Sequence, residues 1–172
     1  MPTKTPKTTY LRDYTPPAYH IPTVDLHFSL GEDCTRVRSR LRIARAEAIP
    51  AGTPLALDGQ HLELIALELN GAPLGADRYQ VDADHLTLLD PPEVFDLTIT
   101  TRIRPQDNTA LEGLYQSSGN FCTQCEAEGF RRITYFLDRP DVMAEFTTTL
   151  VADQTRYSVL LANGNPVASG VL

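Results

Sequence analysis

Between Thr123 and Pro140 the chain places Gln124, Glu126, Glu128, Arg131, Arg132, Asp138 and Arg139 in one short run, with Cys122 and Cys125 at its start. Three chemistries compete for this segment. A Cys-x-x-Cys pair can form half of a zinc knuckle, but zinc needs four ligands and no second Cys-x-x-Cys or His-x₃-His is written in the chain. A redox dithiol needs a βαβ setting and a helix N-terminus to lower a thiol pKa, and neither is legible here. The cysteines therefore read as two unrelated residues. Glu126 and Glu128 share a face if the segment is extended, and paired carboxylates can act as acid and base. A solvated or arginine-paired cluster is the commoner outcome for such a pair. The third chemistry is recognition. A carboxylate held among polar groups binds a ligand ammonium through a charge-assisted hydrogen bond, roughly twice as strong as a neutral one. Glu126, beside the amide of Gln124, carries the groups for that task.

The rest of the chain adds no competing site. His20, His27, His61 and His85 are scattered, without a recurring ligand spacing. Ser117-Ser118-Gly119 only superficially suggests a nucleophile elbow, and no phosphate-binding glycine motif is present. A net charge of −7 argues against nucleic acid as a partner. Arg36, Arg38, Arg40 and Arg42 alternate along one stretch and would share a face, which reads as a solvated strand face with arginine stems covering apolar neighbours. Three cysteines form no disulfide framework. Lys4 and Lys7 precede no apolar run, so no ordinary secretory signal is read. No window approaches the ~18 apolar residues of a membrane span. The expected location is cytoplasmic.

The elements that must position these residues are strands. Residues 1–22 are polar and proline-rich and read as an extended lead-in to a β-domain over 23–172. Val24, Leu26, Phe28 and Leu30 alternate with polar residues, and Val37, Leu41 and Ile43 alternate with the arginines. A third strand spans Leu62 to Leu69, with a parity slip at Leu64-Ile65 that predicts a bulge. Asn70-Gly71 predicts a hairpin turn. Leu86 to Leu89 and Phe95 to Ile103 read as strands, residues 106–132 as loop and short strand, and Pro140 to Glu145 as a single helical turn. Strands are expected again at Phe146 to Ala152 and Arg156 to Ala162, followed by a hairpin at Asn163-Gly164. Val171-Leu172 falls inside the expected return strand, which predicts a domain cut short of its natural end. The fold class is all-β: an antiparallel β-sandwich or curved, saddle-like sheet with hairpins and at most short helical turns.

On particular residues the chain resembles a known family. Leu111-Glu-Gly-Leu-Tyr-Gln-Ser117, Thr123-Gln124-x-Glu126, Arg131, Asp138-x-Pro140 and Met143-Ala-Glu-Phe146 are similar to the N-terminal domain of the aminopeptidase N family, zinc enzymes that remove N-terminal residues from peptides. Asp13-Tyr14 to Pro17 and Ile21 to Leu30 resemble the start of the bacterial form. The resemblance implies a β-structured saddle lying over a separate catalytic zinc domain. It further implies that Glu126 binds the protonated α-amine of peptide substrates, that Gln124 lines the pocket for the first side chain, and that Arg131 and Asp138 are structural, as an ion pair. Thr134-Tyr-Phe-Leu137 replaces the Phe-Pro-Cys run of many relatives, which points to the bacterial subgroup. The zinc-binding His-Glu-x-x-His and the Gly-Ala-Met-Glu-Asn segment are absent from this chain. By the family's logic zinc belongs to the full-length parent, and this fragment alone neither binds it nor hydrolyses peptides. The competing expectation is a free-standing β-sandwich interaction module without catalysis. An exposed apolar patch is expected where a catalytic domain would pack.

Overall fold

The computed structural model describes Thr8 and residues 10–171. Of the lead-in expected over residues 1–22, positions 1–7 and 9 lie outside the described residues, and so does Leu172. Alternating side chains make the first two strands, β1 (Tyr19–Ser29) and β2 (Thr35–Arg45), which pair antiparallel. Val24, Leu26 and Phe28 of β1 and Val37, Leu41 and Ile43 of β2 turn inward and are buried, while Arg36, Arg38, Arg40 and Arg42 of β2 stay exposed. Successive side chains of a strand point to opposite faces, so one polar residue in two is enough to keep one face wet.

Further along come β3 (Leu55–Asp58), β4 (Glu63–Leu69), β5 (Ala72–Pro73), β6 (Tyr79–Val81), β7 (His85–Leu88) and β8 (Val94–Ile103). The register of β4 on β8 slips between Leu64 and Ala66, at the expected bulge. Asn70 and Gly71 take φ of 52° and 79°, the positive pair that a type I′ turn requires between β4 and β5. The chain ends its regular structure with β9 (Gly113–Ser117), β10 (Asn120–Gln124) and β11 (Glu145–Val151).

Six strands form the main sheet in the order β11-β1-β2-β8-β4-β5; β3, β7 and β6 form a second sheet, and β9 and β10 a hairpin. The inner faces share one core, with Phe95, Leu97 and Ile99 of β8 in the same buried cluster as Leu55, Leu57, Leu86 and Leu88 of the smaller sheet. Each such fully buried side chain stabilises by about 1.5–3 kcal/mol. The fold is all-β as expected, with one departure from an antiparallel arrangement. Strand β11 joins β1 in parallel. Parallel neighbours need a long crossover, and the whole chain from β2 to β10 supplies it.

Three local expectations fail. Pro140 to Glu145 forms no helical turn: Pro140-Asp141 is a tight turn closed by Val142 N–H donating to the Arg139 carbonyl at 3.2 Å. The helical turn lies earlier, as 3₁₀ structure at Phe130–Arg132. Residues 156–162 are not a strand, and Asn163-Gly164 is a bend without a hairpin. Of that dipeptide only Gly164 has positive φ, so the type I′ geometry is missing. The physical reason is pairing. Val159, Leu160 and Leu161 are exposed, and no strand among the described residues lies beside them to take up their backbone groups.

Candidate functional site

The site begins with the β9–β10 hairpin. Ser118 and Gly119 take φ of 50° and 81° and turn the chain back, so that Asn120 faces Ser117 and Gln124 faces Gly113. The serine-rich run is thus a hairpin turn and not a nucleophile elbow. After Gln124 the chain makes a tight turn, closed by Gly129 N–H donating to the Cys125 carbonyl at 2.8 Å, and enters the 3₁₀ turn at Phe130. The segment is therefore not extended, and Glu126 and Glu128 do not act as a same-face pair. Glu128 turns to Arg131, its carboxylate 3.4 Å from the guanidinium.

Arg131 anchors the turn. Its Nε donates to Asp138 Oδ2 at 3.0 Å, its Nη2 to the Asp138 carbonyl at 3.0 Å, and its backbone N–H to the same Oδ2 at 3.1 Å. Asp138 N–H in turn donates to Asp58 Oδ2 at 3.1 Å, and Gln60 N–H to the Arg131 carbonyl at 2.8 Å. Burial opposes the Arg131 charge, but the Asp138 hydrogen bond and the charges of Asp58, Glu128 and Asp138 outweigh it and raise its pKa. The ion pair expected of Arg131 and Asp138 is present. Asp58 and Gln60, from the end of β3 and the loop after it, were not legible as partners, because only the fold brings them here.

Gln124 and Glu126 meet through the Glu126 backbone and not through its carboxylate. The Gln124 side-chain amide donates to the Glu126 backbone carbonyl at 3.1 Å, and both residues are exposed. The Glu126 carboxylate has no hydrogen-bond or ion-pair partner among the described residues, whereas Glu112, Glu128, Asp138 and Asp141 are all engaged by arginine. Cys125 lies between them with its thiol pKa raised, first by burial and then by the charge of Asp138. That direction suppresses the thiolate that redox or metal chemistry uses.

Two surfaces flank the site. Phe130 meets Phe136 and Phe146 edge-on, at centroid separations of 5.0 and 5.9 Å. Phe146 and the neighbouring Met143 are 48% and 83% exposed, so apolar surface continues from the aromatic cluster to solvent. On the other flank the lead-in is clasped to the Pro140 turn. Tyr14 Oη donates to Asp141 Oδ2 at 3.0 Å, and Arg139 bridges Asp141 and the Thr15 carbonyl, the latter at 2.8 Å. Zinc does not fit the residues in hand. Among the described residues no three His, Cys, Asp or Glu side chains gather as ligands, and the histidines sit apart on β1, in the β3–β4 loop and on β7.

The sequence pattern of the Peptidase M1 N-terminal domain matches residues 52–171. The chain belongs to this family. Aminopeptidase N of Caulobacter vibrioides is 47% identical over 172 residues, all of this chain and 20% of the relative. Aminopeptidase N of Escherichia coli K12 is 47% identical over 170 residues, covering 99% of this chain and 19% of the relative. The chain thus spans about a fifth of the length of the curated relatives it matches. Among solved structures, Legionella pneumophila aminopeptidase A in complex with aspartic acid superposes with a TM-score of 0.83 at 32% identity, over 91% of this chain and 18% of that one. An M1 zinc metallopeptidase from Deinococcus radiodurans shares the fold, with a TM-score of 0.63 at 21% identity over 77% of this chain and 32% of its own.

Proposed function

We propose that this β-domain serves a zinc aminopeptidase by holding the free α-amine of a peptide substrate with Glu126, while Gln124 lines the pocket for the first side chain. One observation carries the reading: in a segment crowded with carboxylates, Glu126 alone is left without a cationic partner, on backbone fixed by its neighbours. A charged carboxylate presented to solvent in this way offers an ammonium group a charge-assisted hydrogen bond. The membership of the M1 N-terminal family and the likeness to aminopeptidases support the substrate class. Hydrolysis is assigned to a catalytic zinc domain outside this chain, against which the Met143 and Phe146 surface would pack. This chain's own contribution is register: holding the terminal amine sets which peptide bond meets the metal. A cytoplasmic location belongs to the same reading, supported by the free thiols of Cys34, Cys122 and Cys125.

In the full-length protein, Glu126→Ala is expected to lower kcat/KM for peptides with a free N-terminus by about 10²-fold, the scale on which misplaced substrates lose rate. Bound zinc, measured by metal analysis, stays stoichiometric. Wild-type kinetics in this variant would refute the assignment.

A further inference from the structure

Two glycines meet directly beneath the residues that would hold the amine. A β-carbon on Gly129 would lie 2.5 Å from the Gln124 carbonyl oxygen, 2.9 Å from Cys125 Cα and 3.0 Å from Gly113 N. All three are backbone atoms, so no side-chain rotation can relieve the contact. A β-carbon on Gly113, where φ is 73°, would lie 2.7 Å from Arg132 Cβ and 3.1 Å from the Gly129 carbonyl oxygen. Gly113 is also the register partner of Gln124 across the hairpin. The base of the hairpin and the entry to the 3₁₀ turn are therefore packed backbone against backbone.

Two consecutive arginines then tie this contact to opposite sides. Arg131 reaches Asp138, and Arg132 Nε lies 3.1 Å from Glu112 Oε2, in the residue just before Gly113. Arg132 N–H donates to the Gly129 carbonyl at 3.1 Å, and Gly129 N–H to the Cys125 carbonyl at 2.8 Å. The chain of links runs from Asp138 and Glu112 through Arg131, Arg132 and Gly129 and ends on the Cys125 carbonyl, between Gln124 and Glu126. An unfixed loop would lose rotational freedom on every binding event, whereas this one is ordered before the ligand arrives.

We propose that Gly113, Gly129 and Arg132 are positioning residues for the amine-binding loop: they set where Gln124 and Glu126 stand without touching the substrate. The inference rests on the reading of Glu126 and Gln124 given above. The side chain that matters at Gly129 is the missing one. One methyl group there displaces the Gln124 carbonyl, and Glu126 moves with it because the Gln124 amide is bonded to its carbonyl.

The test uses the full-length protein and two competitors of a chromogenic substrate, one an amide that is itself cleavable and one a chelator. Leucinamide carries a free α-amine; acetohydroxamate chelates zinc and carries none. Gly129→Ala is expected to weaken leucinamide by roughly tenfold or more, the worth of one charge-assisted hydrogen bond, and to leave acetohydroxamate unchanged. Ile43→Ala, in the fully buried core of β2, supplies the comparison: it lowers the melting temperature without selective loss of leucinamide. Equal weakening of both competitors by Gly129→Ala, or of neither, overturns the proposal. Should Gly129→Ala not fold, Arg132→Gln removes the tie to Glu112 without adding an atom to the loop, and the same selective loss is expected. Glu126→Ala separates the two readings. If it leaves leucinamide binding intact, the amine site itself falls. If it abolishes binding while neither Gly129→Ala nor Arg132→Gln has a selective effect, only the positioning role falls.

Discussion

Arg131 and Glu126 stand five residues apart and are treated oppositely by the fold. The Arg131 and Asp138 side chains are 16% and 11% exposed, and every polar link between them is short. Removing one member leaves the other charged, poorly solvated and unpaired, which is the costly way to break an ion pair. Asp138→Ala is expected to destabilise the chain by about 3 kcal/mol, at the lower end for a buried pair because water still reaches its edge. The check is a urea titration in which the midpoint falls and the slope is unchanged. Arg139→Ala, at the exposed clasp to Thr15 and Asp141, should cost less than about 1 kcal/mol. Glu126 has no such partner to lose among the described residues. Its replacement should leave the urea midpoint in place, and an effect on catalysis without one on stability is the signature expected of a binding group.

At the scale of the element, the outer face of β2 shows how an arginine ridge is accommodated. Arg40 Nη2 and Arg42 Nη1 donate to the two oxygens of Asp96 on β8, at 2.8 and 3.1 Å. The hydrogen bond from Arg40, then that from Arg42, hold the Asp96 carboxyl below its usual pKa. The sign follows. A carboxylate whose folded pKa lies below its unfolded value adds stability above about pH 4, and that stability is lost as pH falls through the folded pKa. Acid unfolding followed by circular dichroism should therefore be less steep in Asp96→Asn below pH 4, with the two proteins converging at low pH. The ridge, the bulge in β4 and the Asn70-Gly71 turn were legible in the sequence because each depends on residues close together in the chain. The parallel β11–β1 pairing was not, since period-2 alternation is blind to strand direction. Strands β3 and β6 were missed for their shortness. At the proposed site Gln124 and Glu126 are close neighbours in the chain, and their proposed roles come from the family resemblance and not from spacing alone. Asp58, and the Gly113–Gly129 contact, exist only once distant strands have met.

Over the whole molecule stability is uneven, and the unevenness tests the proposed setting. Core strands β1, β2 and β8 are hydrogen-bonded on both sides, whereas β11 is an edge of the sheet. After Val151 the described chain has no ladder pairing, and Val159, Leu161, Val167 and Val171 are 71%, 85%, 94% and 82% exposed. Tyr157 still rests on Phe121, at a centroid separation of 5.1 Å, and Arg156 pairs with Glu32. Segments with exposed backbone and few apolar contacts open at little cost, and proteases cut where the backbone is free. Brief chymotrypsin treatment of this chain should cleave first after Leu160 or Leu161 and leave a resistant core ending shortly after Tyr157, as read by intact mass. A strand with a bonded partner would resist, so survival of residues 158–171 in the isolated chain would show that they are paired after all. The same sites in the full-length protein should be protected if further strand structure pairs with this segment there. Cleavage at equal rates in both would show that residues 158–171 stay unpaired in the longer protein too, and would overturn the expectation of a return strand beside them.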